Sequence, residues 1–171
     1  AGGASAARAG MDTAFSRPLL FFARAPAGSP APIAAGTSSL VPGALPKNVM
    51  LVTLARGTGA VDPQTYVVRL GHQYAEGEDD EEGLSRPAVV EFDDIFAEEV
   101  ASVSERTLSN NRSRDEWEKS RLRWNGLGGT WDNRVVLKDG KYSVELRPME
   151  IRTFEVVVRN ILGDASVTKE S

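Results

Sequence analysis

Acidic side chains are densest between residues 76 and 82, where six of the seven residues are Asp or Glu. Carboxylate oxygens are the ligands that a hard cation such as calcium prefers. The calcium-binding EF-hand loop, however, places its ligands over about twelve residues between two helices, and this run lacks that pattern. We therefore predict a solvated loop of mutually repelling carboxylates, with opportunistic cation binding as the alternative.

The chain contains a single histidine, His72, and no cysteine. A catalytic triad, a two-histidine metal site, a disulfide or a cysteine nucleophile therefore cannot be assembled from this chain alone. His72 alternates with Leu70 and Tyr74, so we predict a hydrogen-bonded, partly buried packing residue rather than a ligand or proton shuttle. Glycoside hydrolysis needs two acids at a defined separation. The chain has 24 acids, and nothing in the sequence singles out a pair.

Three tryptophans, Trp117, Trp124 and Trp131, follow one another at intervals of seven residues among several arginines. Exposed tryptophans in such a setting could stack on sugars or bind a partner. Burial against a sheet is the interpretation that we favour. In the same region, Asn111-Arg112-Ser113 matches the acceptor sequence for N-glycosylation, which matters only if the chain is secreted.

The composition and net charge of the chain limit the classes of partner that it could bind. Hydrophobic residues make up 41% of the 171 residues and charged residues 26%, which suits one folded domain with tails. The net charge of −4 gives no field that attracts nucleic acid or an anionic membrane. The longest apolar stretch, residues 18–23, is far shorter than the roughly 20 residues of a membrane-spanning helix. The opening lacks a starting Met and a signal-peptide pattern, so we interpret the chain as a fragment of a longer protein.

Short alternating runs separated by turn residues predict seven strands. They cover residues 49–54, 65–74, 88–92, 100–108, 133–138, 141–147 and 151–158. The first two should form a hairpin, and Asp139-Gly140 is the strongest signal for another. In the last strand, residues 151, 153, 155 and 157 share one face and residues 152, 154, 156 and 158 share the other, and the more apolar of the two faces should close the core. This spacing favours an all-β fold, an antiparallel β-sandwich, and residues 113–124 are the only helical competitor.

The chain divides into three segments by composition. Residues 1–44 are predicted to be an irregular Ala/Gly/Pro-rich N-terminal segment with one possible strand at residues 15–24. Residues 45–160 should form the β-sandwich domain. Residues 161–171 are predicted to be a tail.

Four stretches, in this order, resemble the C-terminal segment of glycoside hydrolase family 38, specifically lysosomal-type (class II) α-mannosidases. They are LPKNV with LVTL (residues 45–49 and 51–54), VRLGHQYAEGED (68–79), ERTLSNN with RLRW (105–111 and 121–124) and LRPMEIRTF (146–154). The last stretch is the most specific, because nine consecutive residues of mixed type seldom agree by accident. The resemblance covers residues 40–158, and residues 11–32 are only loosely similar.

The resemblance implies a C-terminal β-domain of a retaining enzyme that hydrolyses terminal α-linked mannose from glycans. In such enzymes, zinc and an aspartate nucleophile belong to an N-terminal catalytic domain, and no stretch here matches those motifs. It therefore implies no catalytic residue, metal or cofactor in this chain. The implied partner is the catalytic domain of the same enzyme, the glycan is bound through that parent, and the location is lysosomal, vacuolar or secretory.

Under this hypothesis, the functional edge of the domain is a substrate-cleft rim formed by His72, Gln73, Glu76, Glu78 and Asp79. An uncovered apolar surface is also expected, because a domain separated from its partner exposes their interface. The alternative is a stand-alone carbohydrate-binding or protein-interaction β-sandwich without activity, which exposed tryptophans would favour. An independent hydrolase is disfavoured, because these residues supply no recognised glycosidase or metal site.

Overall fold

The computed structural model describes residues 3–15, 43–57, 64–79, 81–122 and 134–159. The chain forms two compact units, Ala1–Ser39 and Leu40–Ser171. In the first unit the described element is helix α1 (Ala4–Phe15). In the second unit the elements are β1 (Val49–Arg56), β2 (Thr65–His72), β3 (Ala88–Glu91), a 3-10 helix (Phe92–Asp94), β4 (Glu99–Arg106), α2 (Arg114–Ser120), β5 (Val136–Lys138), β6 (Lys141–Leu146) and β7 (Ile151–Arg159).

Helix α1 corrects the prediction of an irregular N-terminal segment over the residues that the helix covers. Its sequence, ASAARAGMDTAF, is rich in alanine, which has the highest helix propensity of all residues. The single internal glycine, Gly10, costs only about 1 kcal/mol relative to alanine, so the helix tolerates it. The possible strand at residues 15–24 begins on Phe15, which is helical, and the rest of it lies outside the described residues.

The strands of the second unit form two antiparallel sheets, which confirms the predicted sandwich. One sheet has the strand order β1-β2-β7-β4, and the other has the order β3-β6-β5. β1 and β2 pair antiparallel, as the hairpin prediction requires. The β5–β6 hairpin turns at Asp139 and Gly140, which have φ values of 51° and 80°, the left-handed conformation that an Asp-Gly turn supplies.

The core lies between the two sheets and follows the predicted alternation. Val68 and Leu70 on β2 are fully buried, and so is Phe154 on β7. The ring of Phe154 meets that of Phe92 edge to face, with centroids 5.1 Å apart. Arg152, Val156 and Val158 lie on the same inward face of β7 and are also buried, which confirms the predicted core-closing face.

None of the described helices is long and apolar enough to cross a membrane.

Candidate functional site

The predicted rim residues lie where β2 ends and the acidic loop begins. His72 pairs with Val49 at the start of β1, and its backbone N–H donates to the Glu150 carbonyl at 2.8 Å. The N–H of Gln73 donates to the Asn48 carbonyl at 2.9 Å. The end of β2 is therefore fixed on both sides, by the chain before β1 and by the turn before β7.

The side chain of His72 is a packing residue, as predicted, because it is only 3% exposed and is surrounded by backbone groups. Its Nε2 lies 2.9 Å from the Arg86 carbonyl, and its Nδ1 lies 3.2 Å from the Tyr74 N–H. A proton on Nε2 satisfies both of these contacts, whereas a proton on Nδ1 would donate to the Tyr74 carbonyl at 3.0 Å and leave Nε2 to accept from Asn48 Nδ2 at 3.0 Å. Asn48 lies beside the ring, where its Nδ2 donates to the carbonyls of Leu84 and Arg86 at 3.0 Å each.

The acidic loop contains two kinds of carboxylate. Those of Glu76 and Glu82 are exposed, as the solvated-loop prediction requires. Glu78 and Asp79 are half-buried, because they close turns: Glu78 Oε2 accepts the Ala75 N–H at 2.8 Å, and Asp79 Oδ1 accepts the Glu82 N–H at 3.0 Å. Across the described residues, no group of three or more His, Cys, Asp or Glu side chains could hold a metal ion.

A shallow groove with a volume of about 680 Å³ separates the acidic loop from the turn before β7. Glu76 lines one side, and Arg147 and Met149 line the other. The turn is closed by the Glu150 N–H, which donates to the Arg147 carbonyl at 3.0 Å. Met149 follows Pro148 with a φ of 61°, a left-handed conformation that is strained for a residue with a side chain.

An apolar patch, defined here as Met50, Val52, Met149 and Ile151, lies beside this groove. Met50 pairs with Gly71, which pairs with Ile151, so the three form a row across β1, β2 and β7 on the outer face of the sheet. The exposed fractions are 37% for Met50, 47% for Val52, 57% for Met149 and 53% for Ile151. A Cβ on Gly71 would lie 3.2 Å from Val52 and 3.6 Å from Ile151, so the glycine leaves a flat floor between them. The expected uncovered apolar surface is therefore present.

Sequence reasoning missed a charged cluster between β4, α2 and β7. Arg152 donates two hydrogen bonds to the Glu105 carboxylate, from Nε to Oε1 at 2.9 Å and from Nη2 to Oε2 at 2.6 Å. Its Nη1 donates to the Glu145 carbonyl on β6, in the opposite sheet, at 2.9 Å. Arg114 on α2 also pairs with Glu105 and, through Nε, with Glu118. A lone arginine on an otherwise apolar inward face was the one sequence signal for this cluster.

The carboxylates around Arg114, at the start of α2, favour the charged form of its guanidinium. Burial of Arg114 disfavours its charge, but the carboxylates of Glu105 and Glu118 more than offset that effect and raise the pKa of the guanidinium. At the same end of the helix, the N–H of the N-cap residue Ser113 donates to the Glu116 carboxylate at 3.1 Å. This backbone hydrogen bond lowers the pKa of Glu116 from its ordinary value of 4.5.

A second groove, with a volume of about 450 Å³, lies between α2, β4 and the start of β7. Its apolar walls are Leu108, Trp117 and Ile151. The guanidinium of Arg121 lies 5.4 Å from the centre of the Trp117 ring. Trp117 is 41% exposed, so the favoured interpretation of burial against the sheet is wrong for this residue, whereas Trp124 and Trp131 lie outside the described residues.

The comparisons with known proteins agree with the fold. The family described as "Glycosyl hydrolases family 38 C-terminal beta sandwich domain" matches residues 48–154. The lysosomal alpha-mannosidase of Cavia porcellus is 37% identical over 116 residues, which is 67% of this chain and 11% of that protein. The lysosomal alpha-mannosidase of Homo sapiens is 35% identical over 111 residues, or 64% of this chain and 10% of that protein.

A probable alpha-mannosidase of Arabidopsis thaliana is 37% identical over 149 residues, which is 81% of this chain and 14% of that protein. The chain therefore spans about a tenth of the length of the curated relatives that it matches.

Proposed function

The chain belongs to the family of glycosyl hydrolase family 38 C-terminal beta sandwich domains, and we propose that it is a structural domain of a retaining α-mannosidase. The parent enzyme hydrolyses terminal α-linked mannose from glycans, and its catalytic part lies outside this chain. The observation that carries this proposal is the apolar patch on the outer face of the four-stranded sheet. A patch of this kind, bordered by polar residues, marks a surface that another protein segment covers.

In this proposal, the apolar patch packs against the catalytic part of the same enzyme. The strain at Met149 supports that role. Glycine fits a φ of 61° without strain, whereas a methionine there costs about 1–2 kcal/mol. A position that keeps a large, exposed apolar side chain at such a cost is best explained by a contact outside the chain.

The groove beside the patch would then form part of the substrate-cleft rim. Glu76 would project from it, and Gln73, which reaches the sulfur of Met50 at 3.5 Å, would join the rim to the patch. Glu78 and Asp79 would shape the loop through the turns that they close. His72 would be a positioning residue, because its contacts fix the strand end and its buried ring lies away from solvent.

Zinc and the nucleophile are assigned to the catalytic part of the parent. The described residues include no group that fits a metal ion, so we derive no step of hydrolysis from this chain. The lysosomal names of the mammalian relatives support a lysosomal, vacuolar or secretory location for the parent.

The test is an α-mannosidase assay with a chromogenic mannoside at acidic pH. It is run on this chain alone and on the enzyme purified from its native source, with zinc measured in both. Activity and zinc are expected only where a larger chain co-purifies. Turnover by this chain alone would overturn the assignment of the active site to another part of the enzyme.

A carbohydrate-binding sandwich without activity is the second candidate, and Trp117 favours it. An exposed indole beside an arginine, at the wall of a groove of this size, suits stacking on a sugar ring. Calorimetry with mannose oligosaccharides distinguishes the two. Binding by this chain that is lost in Trp117→Ala, with no larger chain co-purifying, would favour this candidate.

A further inference from the structure

The turn between β4 and α2, residues 107–112, has no role in the interface proposed above. It carries Asn111-Arg112-Ser113, and no other Asn-X-Ser/Thr sequence occurs in the 171 residues. Asn111 is exposed. Acceptor sequences of this kind are modified on surface loops of secreted proteins, and this one lies on such a loop.

The hydrogen bonds of Asn111 leave its amide nitrogen available. The Thr107 hydroxyl donates to Asn111 Oδ1 at 2.7 Å, and the Ser109 hydroxyl donates to the same oxygen at 2.8 Å. Within the described part of the chain, Nδ2 donates no hydrogen bond. An N-linked sugar replaces one N–H of the amide and leaves the oxygen as an acceptor. Both hydroxyl contacts therefore survive the modification.

Asn48 shows the opposite arrangement. It is 7% exposed, and its Nδ2 donates to two backbone carbonyls, those of Leu84 and Arg86. A sugar on that nitrogen would replace one of its two hydrogens, so at least one of these buried bonds would be lost, at a cost of about 1–3 kcal/mol. The turn at Asn111 is thus compatible with a glycan, whereas the environment of Asn48 is not.

We propose that Asn111 carries an N-linked oligosaccharide in the parent enzyme. Its Nδ2 forms a bond to the anomeric carbon of an oligosaccharide carried on a lipid pyrophosphate. The bond from that carbon to the pyrophosphate oxygen breaks, and the amide nitrogen releases one proton. The transfer requires a secretory route, which is part of the proposed function.

Transfer precedes the folding of α2. In the folded chain, the Ser113 hydroxyl caps this helix by accepting the Glu116 N–H at 3.2 Å. The serine of the acceptor sequence is therefore already hydrogen-bonded once the helix has formed. A glycan at Asn111 also keeps the β4–α2 turn in solvent in the assembled enzyme. That turn is thereby excluded from the interface with the catalytic part.

The test expresses the full chain behind a secretion signal in a eukaryotic host and maps glycopeptides by mass spectrometry, in both secreted and cell-retained material. Three variants accompany the wild type. Asn111→Gln removes the attachment atom. Ser113→Asp removes the acceptor sequence but keeps a strong helix cap, and Ser113→Thr keeps both.

A glycan on Asn111 is expected in the wild type and in Ser113→Thr, and it should be lost in Asn111→Gln and Ser113→Asp. An unmodified Asn111 in both the wild type and Ser113→Thr would overturn the inference. Because the host supplies the secretory route, this failure is independent of the α-mannosidase assignment. Conversely, a chain that is glycosylated but belongs to another class of protein would overturn only the proposed function.

Discussion

Arg152 places a guanidinium between the two sheets, where its side chain is 2% exposed. It joins β7 to Glu105 on β4 and to a backbone carbonyl of β6. Because burying two charges costs nearly as much as their attraction returns, such a pair adds little net stability while it stays intact. Removal of one partner is far more costly, since the other charge is left buried without compensation.

Glu105→Gln should therefore lower the free energy of unfolding by about 3–5 kcal/mol, as measured by urea denaturation. The matched control is Glu99→Gln, which breaks the exposed pair with Arg159 at the far end of the same strands. That substitution should lower the free energy of unfolding by no more than about 1 kcal/mol. Equal losses in the two variants would contradict a structural role for the buried pair.

The sequence predicts the structural surroundings of some residues and not those of others. The environment of His72 follows from strand alternation, because its neighbours on the face are two residues away. Glu105 and Arg152 are 47 residues apart, and their meeting depends on the register in which Glu105 lies opposite Phe154. Local pattern does not specify that register, so the cluster could not be predicted.

Among the elements, α2 is short, and its start depends on the capping box of Ser113 and Glu116. A helix of this length is marginal alone, so the cap and the Arg114–Glu105 pair hold it. The pKa of Glu116 is lower in the folded chain than its ordinary value of 4.5. Its contribution is therefore complete above that value and is lost as the pH falls through the lower, folded value.

The cap of α2 should consequently weaken on acidification below pH 4.5, the ordinary value for Glu116. The amide resonance of Ser113, followed by NMR, should shift in this range. In Glu116→Gln the shift should disappear, because glutamine keeps a hydrogen-bonding oxygen without titrating. Glu118→Gln is the control and should keep the titration of Ser113. An identical titration in Glu116→Gln would contradict the role of this carboxylate.

Most of the strands were predictable because one face of each is buried, so period-two alternation fixes both their type and their inward side. All three residues of β5 are exposed, and the Asp139-Gly140 turn signal identified this strand instead. Helix α1 was missed because its Ala/Gly/Ser composition was interpreted as irregular, although alanine favours a helix. For residues 113–124, the charges were compatible with a helix but did not require one. The capping-box pattern, Ser113 followed three residues later by Glu116, was the sequence signal that predicts a helix starting here.

At the scale of the whole molecule, an outer sheet face is expected to be polar where water covers it. The apolar patch breaks that rule at one end of the four-stranded sheet, next to the groove at Glu76. The chain spans about a tenth of the length of the relatives that it matches, and in the proposed function the rest of the parent enzyme would cover the patch. The proposed function accounts for both facts with one interface.

Met149→Gly should affect the stability of the isolated domain and its proposed packing on the catalytic part in different ways. Glycine adopts a φ of 61° without strain, so the variant should leave the free energy of unfolding of the isolated chain equal or higher. In the complete enzyme it should lower the temperature at which α-mannosidase activity is lost, because it removes the apolar contact that is proposed with the catalytic part.

Asp139→Gly is the control for this experiment. Asp139 also has a positive φ, 51°, but it is exposed in the β5–β6 hairpin, away from the apolar patch. Relief of strain there should not change the inactivation temperature of the complete enzyme. If Met149→Gly likewise leaves that temperature unchanged, the methionine makes no contact outside the chain, and the apolar patch is not the surface that the catalytic part covers.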